Sequence, residues 1–221
     1  MFTGLTQDAF DFLWDLMFHN EKAWFEENRA RFETALHMPF RALAEETVAR
    51  VKEKVPNGEW HLHLSRIYRD ARRPSPMGPY RNHLWFSLRN GREEAYAPSL
   101  WFEVGAQRCG MGMGFYQVSP EQLAAYRRRI DQNPTVFEEM ARTVLARGYT
   151  PDAQTYRRQK AERGEFLNPW YNSRRPGVER LCPPDERILS PRLPEFLTEE
   201  FLALMPLYEF LRACGPSEKA R

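Results

Sequence analysis

Between Trp60 and Tyr116 the apolar residues change from helical spacing to a period of two, in four segments joined by connections too short for parallel crossovers. Leu62, Leu64 and Tyr68 alternate with His61, His63, Ser65 and Arg69, and Leu84 to Arg89, Ser99 to Ala106 and Gly110 to Tyr116 follow. The segments predict an antiparallel sheet of at least four strands. In the last of them Gly110, Gly112 and Gly114 leave one face bare while Met111, Met113 and Phe115 fill the other. Glycine inside a strand marks the close approach of another group. A helix laid across the sheet is the expected occupant and a ligand the alternative. The spacing is GxGxG within a strand, not GxGxxG opening a helix, so it makes no dinucleotide loop.

Helical patterns lie on both sides of this block. In residues 1–58, Thr6 suits a helix cap, Leu5 and Phe10 a hydrophobic staple, and Phe10, Leu13, Trp14 and Met17 one buried face. Asn20 then reads as the cap of a second helix carrying Trp24, Phe25, Phe32 and Leu36, before Pro39 opens another with Phe40, Leu43 and Val51. In residues 119–148, Ser119 and Asn133 each precede a proline at a first helical position, and Gly148 stops the second helix. Six prolines from Pro169 to Pro194 predict an extended segment over 163–197, held down by Trp170 and Tyr171. A last helix, 198–214, is capped by Thr198 and buries Phe201, Leu204, Leu207, Tyr208 and Leu211. With 221 residues, 42% hydrophobic and 14% aromatic, the chain is expected to build one core. The prediction is an α+β single domain, 1–221, whose sheet (60–116) is flanked by helices from both ends.

Charge narrows the classes of partner. Thirty-two basic residues against 30 acidic ones leave a net charge of +2, so any electrostatic partner must be recruited by a local patch. Cys109, Cys182 and Cys214 are far apart and show no CxxC spacing, and they read as free thiols in a reducing compartment. "MFTGLTQDAFDF" has acids where a signal peptide has an apolar run, and no apolar stretch approaches the ~20 residues of a membrane span. A cytoplasmic location without a membrane partner is expected. Neither a cofactor nor an oligomeric state follows from the residues.

"RIYRDARRPSPMGPYRNHLWFSLR" holds six arginines and one acid, Asp70. Pro74, Pro76, Gly78 and Pro79 make a stiff connection between strands, with Arg66, Arg69, Arg72, Arg73 and Arg81 around it. Five guanidinium groups exceed what Asp70 neutralises, and each presents a planar fork for carboxylate or phosphate oxygens. The expected site is therefore an anion site of Arg66, Arg69, Asp70, Arg72, Tyr80 and Arg81, taking a phosphorylated or carboxylated small molecule. One alternative is a salt-bridge lattice in which the arginines are architectural. Another is nucleic-acid binding along Arg66 to Arg92, with Tyr80, Trp85 and Tyr96 as stacking groups. His61, His63 and His83 lack a carboxylate or cysteine at ligand spacing, so no metal site is expected of them. Glu103 shares a strand face with Trp101 and could reach toward the arginines. "YRRRIDQ" and "TYRRQK" add basic residues beside tyrosines, read as a solvated helical face.

The order of these features resembles domain-of-unknown-function family 2461, found in bacteria and fungi, over nearly the whole chain. "HNEKAWF" is similar to the family's NNxxWF turn through Asn20, Trp24 and Phe25, with His19 in an asparagine position. "RDARRPSPMGPYR" resembles an RDxRFSxDKxPYK motif through Arg69, Asp70, Arg72, Pro79, Tyr80 and Arg81. Arg73, Pro74, Pro76 and Met77 depart from it. The resemblance implies the organisation and a site at the second motif, and no activity.

Overall fold

A computed structural model describes residues 1–70, 72, 75–91, 96–152 and 154–215. The helical third contains α1 (Gln7–Phe18), α2 (Lys22–Glu27), α3 (Arg29–Arg31), a π-helical turn (Phe32–His37) and α4 (Met38–Lys54). Strands β1 (Trp60–Leu64), β2 (His83–Asn90), β3 (Pro98–Gly105) and β4 (Cys109–Phe115) follow, within a residue or two of the predicted segments apart from the early end of β1. Then come α5 (Pro120–Gln132), α6 (Pro134–Ala146), β5 (Thr150–Pro151), α7 (Gly164–Tyr171), β6 (Gly177–Cys182), α8 (Glu186–Leu189) and α9 (Leu193–Arg212). The strands form one antiparallel sheet in the order β1-β2-β3-β4-β6-β5, and the fold is α+β as expected. The first four strands lie side by side in chain order, the arrangement that short connections permit.

The chain gathers into two compact units: Met1–Leu88, Trp101–Gly110 and Leu181–Glu200 form the first, and Arg89–Leu100, Met111–Arg180 and Phe201–Arg221 the second. The first has its core where Phe40 of α4 meets Phe86 of β2 at 5.7 Å and Phe102 of β3 at 6.4 Å, all three fully buried. The second centres on Phe137 of α6, whose ring meets Tyr126 at 6.0 Å, Trp170 at 5.6 Å and Phe210 at 5.1 Å. Burial of each such ring contributes about 1.5–3 kcal/mol before entropy is counted.

Several local expectations change. The buried face of α1 is Ala9, Phe10, Phe12, Leu13 and Leu16, while Trp14 and Met17 face outward. The helix has two overlapping apolar stripes, and only one of them can meet the core. Pro39 stands in the first turn of α4 without breaking the axis, because the π turn before it widens the backbone where the proline ring would strike a carbonyl. After Leu64 the strand alternation slips: Ser65 and Ile67 are buried and Tyr68 is exposed. Ser65 Oγ accepts from the Trp85 amide at 2.8 Å, taking the ladder bond that a main-chain carbonyl would otherwise accept.

The glycine face of β4 is not met by a helix at the two positions where its neighbours are defined. A Cβ on Gly110 would touch the side chains of Trp101 and Leu181, and one on Gly114 the backbone of Pro176 and Gly177. Adjoining strands approach the bare backbone, and Met111, Met113 and Phe115 are buried. The proline-rich segment 163–197 is not extended throughout. It contains α7, β6 and α8, and α9 already begins at Leu193. Pro194 occupies the first turn of α9, where a missing N–H costs nothing, Pro169 lies inside the short α7, and Pro176, Pro183, Pro184 and Pro191 fall between the elements. Thr198 consequently lies inside α9 and donates its hydroxyl to the Pro194 carbonyl at 2.7 Å instead of capping.

Candidate functional site

In the first unit, the chain leaving β1 and the chain entering β2 are tied by a two-rung bridge. Arg69 N donates to the Pro79 carbonyl at 2.8 Å and Arg81 N to the Ile67 carbonyl at 2.7 Å, with Tyr68 opposite Tyr80. Gly78 turns the loop with φ +83, and a Cβ there would stand 2.6 Å from three atoms of Asn20. Glycine is required by both conformation and space. Asn20 uses the room to clamp Tyr80 from both sides: Oδ1 accepts from its amide and Nδ2 donates to its carbonyl, each at 2.9 Å. The sequence reading made Asn20 a helix cap, whereas the residue before α2 is Glu21. Its partner lies 60 residues away, beyond the reach of local pattern.

The arginines divide into two kinds. Arg72 is 90% exposed and closes a bidentate pair with Asp70 at 2.9 and 3.0 Å, while its own amide donates to the same carboxylate at 3.1 Å. Asp70 therefore orients Arg72 within a tight turn. Arg69 and Arg81 instead donate to main-chain carbonyls. Arg69 Nε reaches the Tyr80 carbonyl at 2.9 Å; Arg81 Nη1 reaches the Arg66 carbonyl at 2.7 Å and the Tyr68 carbonyl as well. Among the described residues neither Arg69, Arg81 nor the exposed Arg66 pairs with a carboxylate. Carbonyls fix a guanidinium in place and leave its full charge. Arg73 and Arg92 lie outside the described residues.

His83 senses that charge. Burial, and after it the positive charges of Arg81 and Arg69, hold its imidazole below the usual histidine value. Its Nε2 lies 4.0 Å from Glu103 Oε2, so the strand glutamate faces the histidine. Tyr80 contributes its backbone to the site, since its ring is 2% exposed and stacks on Phe25 at 4.1 Å. Tyr68 covers the pair from outside, 5.3 Å from Tyr80, and its hydroxyl accepts from Arg29 Nη2 at 3.2 Å. Sequence reasoning named Asn20, His83 and Tyr68 but gave none of them its part here. An asparagine four residues before Trp24 and a glycine-proline-tyrosine turn were the visible signals for the first.

Residues 8–210 match the family described as conserved hypothetical protein (DUF2461). The chain belongs to the DUF2461 family. No curated protein matches it. In this DUF2461 protein the two motifs that carry the likeness are in contact: Asn20 of the first holds Tyr80 of the second, and His19 stacks on Trp24 at 5.7 Å.

Other chemistry is sparse. Among the described residues no three His, Cys, Asp or Glu side chains gather as a metal ion would require. Cys109 and Cys214 are buried free thiols; burial raises both, Cys214 to about 11, so neither is a thiolate at neutral pH. In the second unit a cavity of about 560 Å³ is lined by Leu145, Phe166, Trp170 and two acids, Asp152 and Glu165. Acid on an apolar wall does not suit an anion. Among the described residues no helix is long and apolar enough to cross a membrane.

Proposed function

We propose that this DUF2461 protein binds a small anionic ligand, phosphorylated or carboxylated, at Arg66, Arg69 and Arg81, with Arg72 and Asp70 on the outer turn. The observation that supports the reading is the way Arg69 and Arg81 are held: main-chain carbonyls orient both guanidinium groups, and no carboxylate pairs with them among the described residues. A preoriented cation loses little freedom when an oxygen anion arrives, and each charge-assisted bond contributes roughly 1.5–3 kcal/mol. Three free thiols suit a reducing, cytoplasmic setting for this binding.

His83 supplies the test. An anion beside Arg69 and Arg81 offsets the charges that lower its pKa, so saturating phosphate or citrate should raise the His83 midpoint in an NMR titration. Arg69→Gln or Arg81→Gln should raise that midpoint without ligand and remove the response to it. Binding should also weaken as salt rises. A His83 midpoint that stays fixed in phosphate, nucleotides and di- and tricarboxylates would mean that the arginines serve the loop alone.

A further inference from the structure

The second unit carries a separate concentration of charge around Tyr156. Three cations stand against its one ring: Lys160 Nζ at 4.5 Å from the centroid, the Arg127 guanidinium at 5.4 Å and the Arg174 guanidinium at 5.9 Å. A ring quadrupole attracts one cation well, but it does not offset the mutual repulsion of three. The acids nearby are already engaged. Asp131, one helical turn beyond Arg127, accepts from Arg163 and from the Tyr171 hydroxyl, each at 2.8 Å, and Asp152 is held by Arg175 at 3.0 Å. Among the described residues no carboxylate pairs with Arg127, Lys160 or Arg174. Arg127 Nε donates to the Tyr171 carbonyl at 3.1 Å, while its Nη2 is buried without a hydrogen-bond partner. A buried guanidinium nitrogen in that state needs an acceptor.

The backbone around these cations is fixed in advance. Asn172, 2% exposed, accepts the Tyr156 amide at its carbonyl (3.0 Å) and the Lys160 amide at Oδ1 (2.6 Å), while the Arg174 amide donates to the Gln154 carbonyl at 2.7 Å. One buried residue, through its carbonyl and its side chain, thus registers the segment carrying Tyr156 and Lys160 against the segment carrying Arg174.

We infer that Arg127, Lys160 and Arg174 around Tyr156 form a second anion site, distinct from the arginine loop of the first unit, that takes a compact, multiply charged phosphate group. A single carboxylate carries too little charge for three cations against one ring, whereas a diphosphate carries several anionic acceptor oxygens. The three cations stand against the ring, which disfavours a stacked base and favours a phosphorylated small molecule over a single strand of nucleic acid.

Inorganic pyrophosphate is the probe, titrated into the full chain at low salt, with amide shifts of Tyr156, Lys160 and Asn172 followed by NMR. Saturable shifts at those amides are expected, and the double variant Lys160→Gln/Arg174→Gln should weaken binding at least tenfold without lowering the melting temperature. Arg69→Gln, in the first unit, should leave these shifts in place, which separates this site from the proposed one. Absence of saturation in the wild type overturns the inference, as does unaltered binding by the double variant. A sharp drop in its melting temperature overturns it too, since the cations would then be structural. Binding of an oligonucleotide with none of pyrophosphate also overturns it.

Discussion

The loop at Tyr80 and the segment at Tyr156 are both rich in arginine and tyrosine, yet they use them in opposite ways. At the loop the tyrosine ring is buried and the arginines reach past it to backbone carbonyls, which tie Arg69 and Arg81 into the chain. Around Tyr156 the cations gather at the ring itself, and the segments are held by an uncharged residue, Asn172. Removing an arginine from the loop therefore removes a strut. Removing Lys160, whose side chain meets the Tyr156 ring and no carbonyl, takes away no such tie. Composition cannot tell these apart, because only the partner of each N–H does.

The comparison can be broken most severely at Gly78. Gly78→Ala forces a Cβ into Asn20 at a left-handed φ and should cost about 2–4 kcal/mol in urea unfolding; a cost near zero would show that the clamp is slack. Asn20→Ala removes two bonds to Tyr80 and should cost about 1–3 kcal/mol by the same measurement. Arg81→Ala should cost about 1–2 kcal/mol, from its two carbonyl bonds. Lys160→Ala should leave the melting temperature unchanged or raise it, and equal losses at both positions would erase the distinction between strut and cluster.

A smaller effect appears with pH. Because the folded pKa of His83 is depressed, its neutral form is favoured by the fold, and its contribution is intact above the unfolded value near 6.5. Below that value the unfolded chain takes up the proton first, so stability falls with pH until the folded pKa is passed. His83→Gln should flatten this part of the stability profile between pH 7 and 5, and an unchanged slope would remove His83 as the sensor of Arg69 and Arg81. The smallest effect is expected at Arg72→Ala, whose exposed pair with Asp70 is screened by solvent. It should not move the melting temperature measurably.

What could be seen in the residues was local and periodic. The segments that became β2, β3 and β4 and the helix start at Ser119 with Pro120 behind it each involve neighbours a few residues apart, and both appear in the structure as expected. The arginine-rich loop was also visible, as composition. Its geometry was not, because the clamp joins Asn20 to Tyr80 across 60 residues and the carbonyls that take Arg81 carry no side-chain signature. Trp14 and Met17 were misplaced because α1 offers two apolar stripes and the core chooses between them. The prolines of 163–197 misled for a different reason: they punctuate short elements as readily as they prevent long ones.

The π turn at Phe32–His37 sets a length as well as a shape. Phe32 and His37 stack with centroids 5.3 Å apart, although residues five apart on an α-helix point about 140° away from each other. The turn holds one residue more than the α pitch accommodates, and Phe32 thereby reaches Phe12 of α1 at 5.7 Å while Pro39 still enters α4. Deleting a single residue here would take out that extra residue, so the turn closes to the ordinary α pitch with its flanks little rotated and the Phe32–His37 stack lost. For this stretch the extra residue is what brings the two rings together: a one-residue deletion would keep the helices on either side and lose the stack, whereas substitution at buried Phe32 or Leu36 would strike the packing itself.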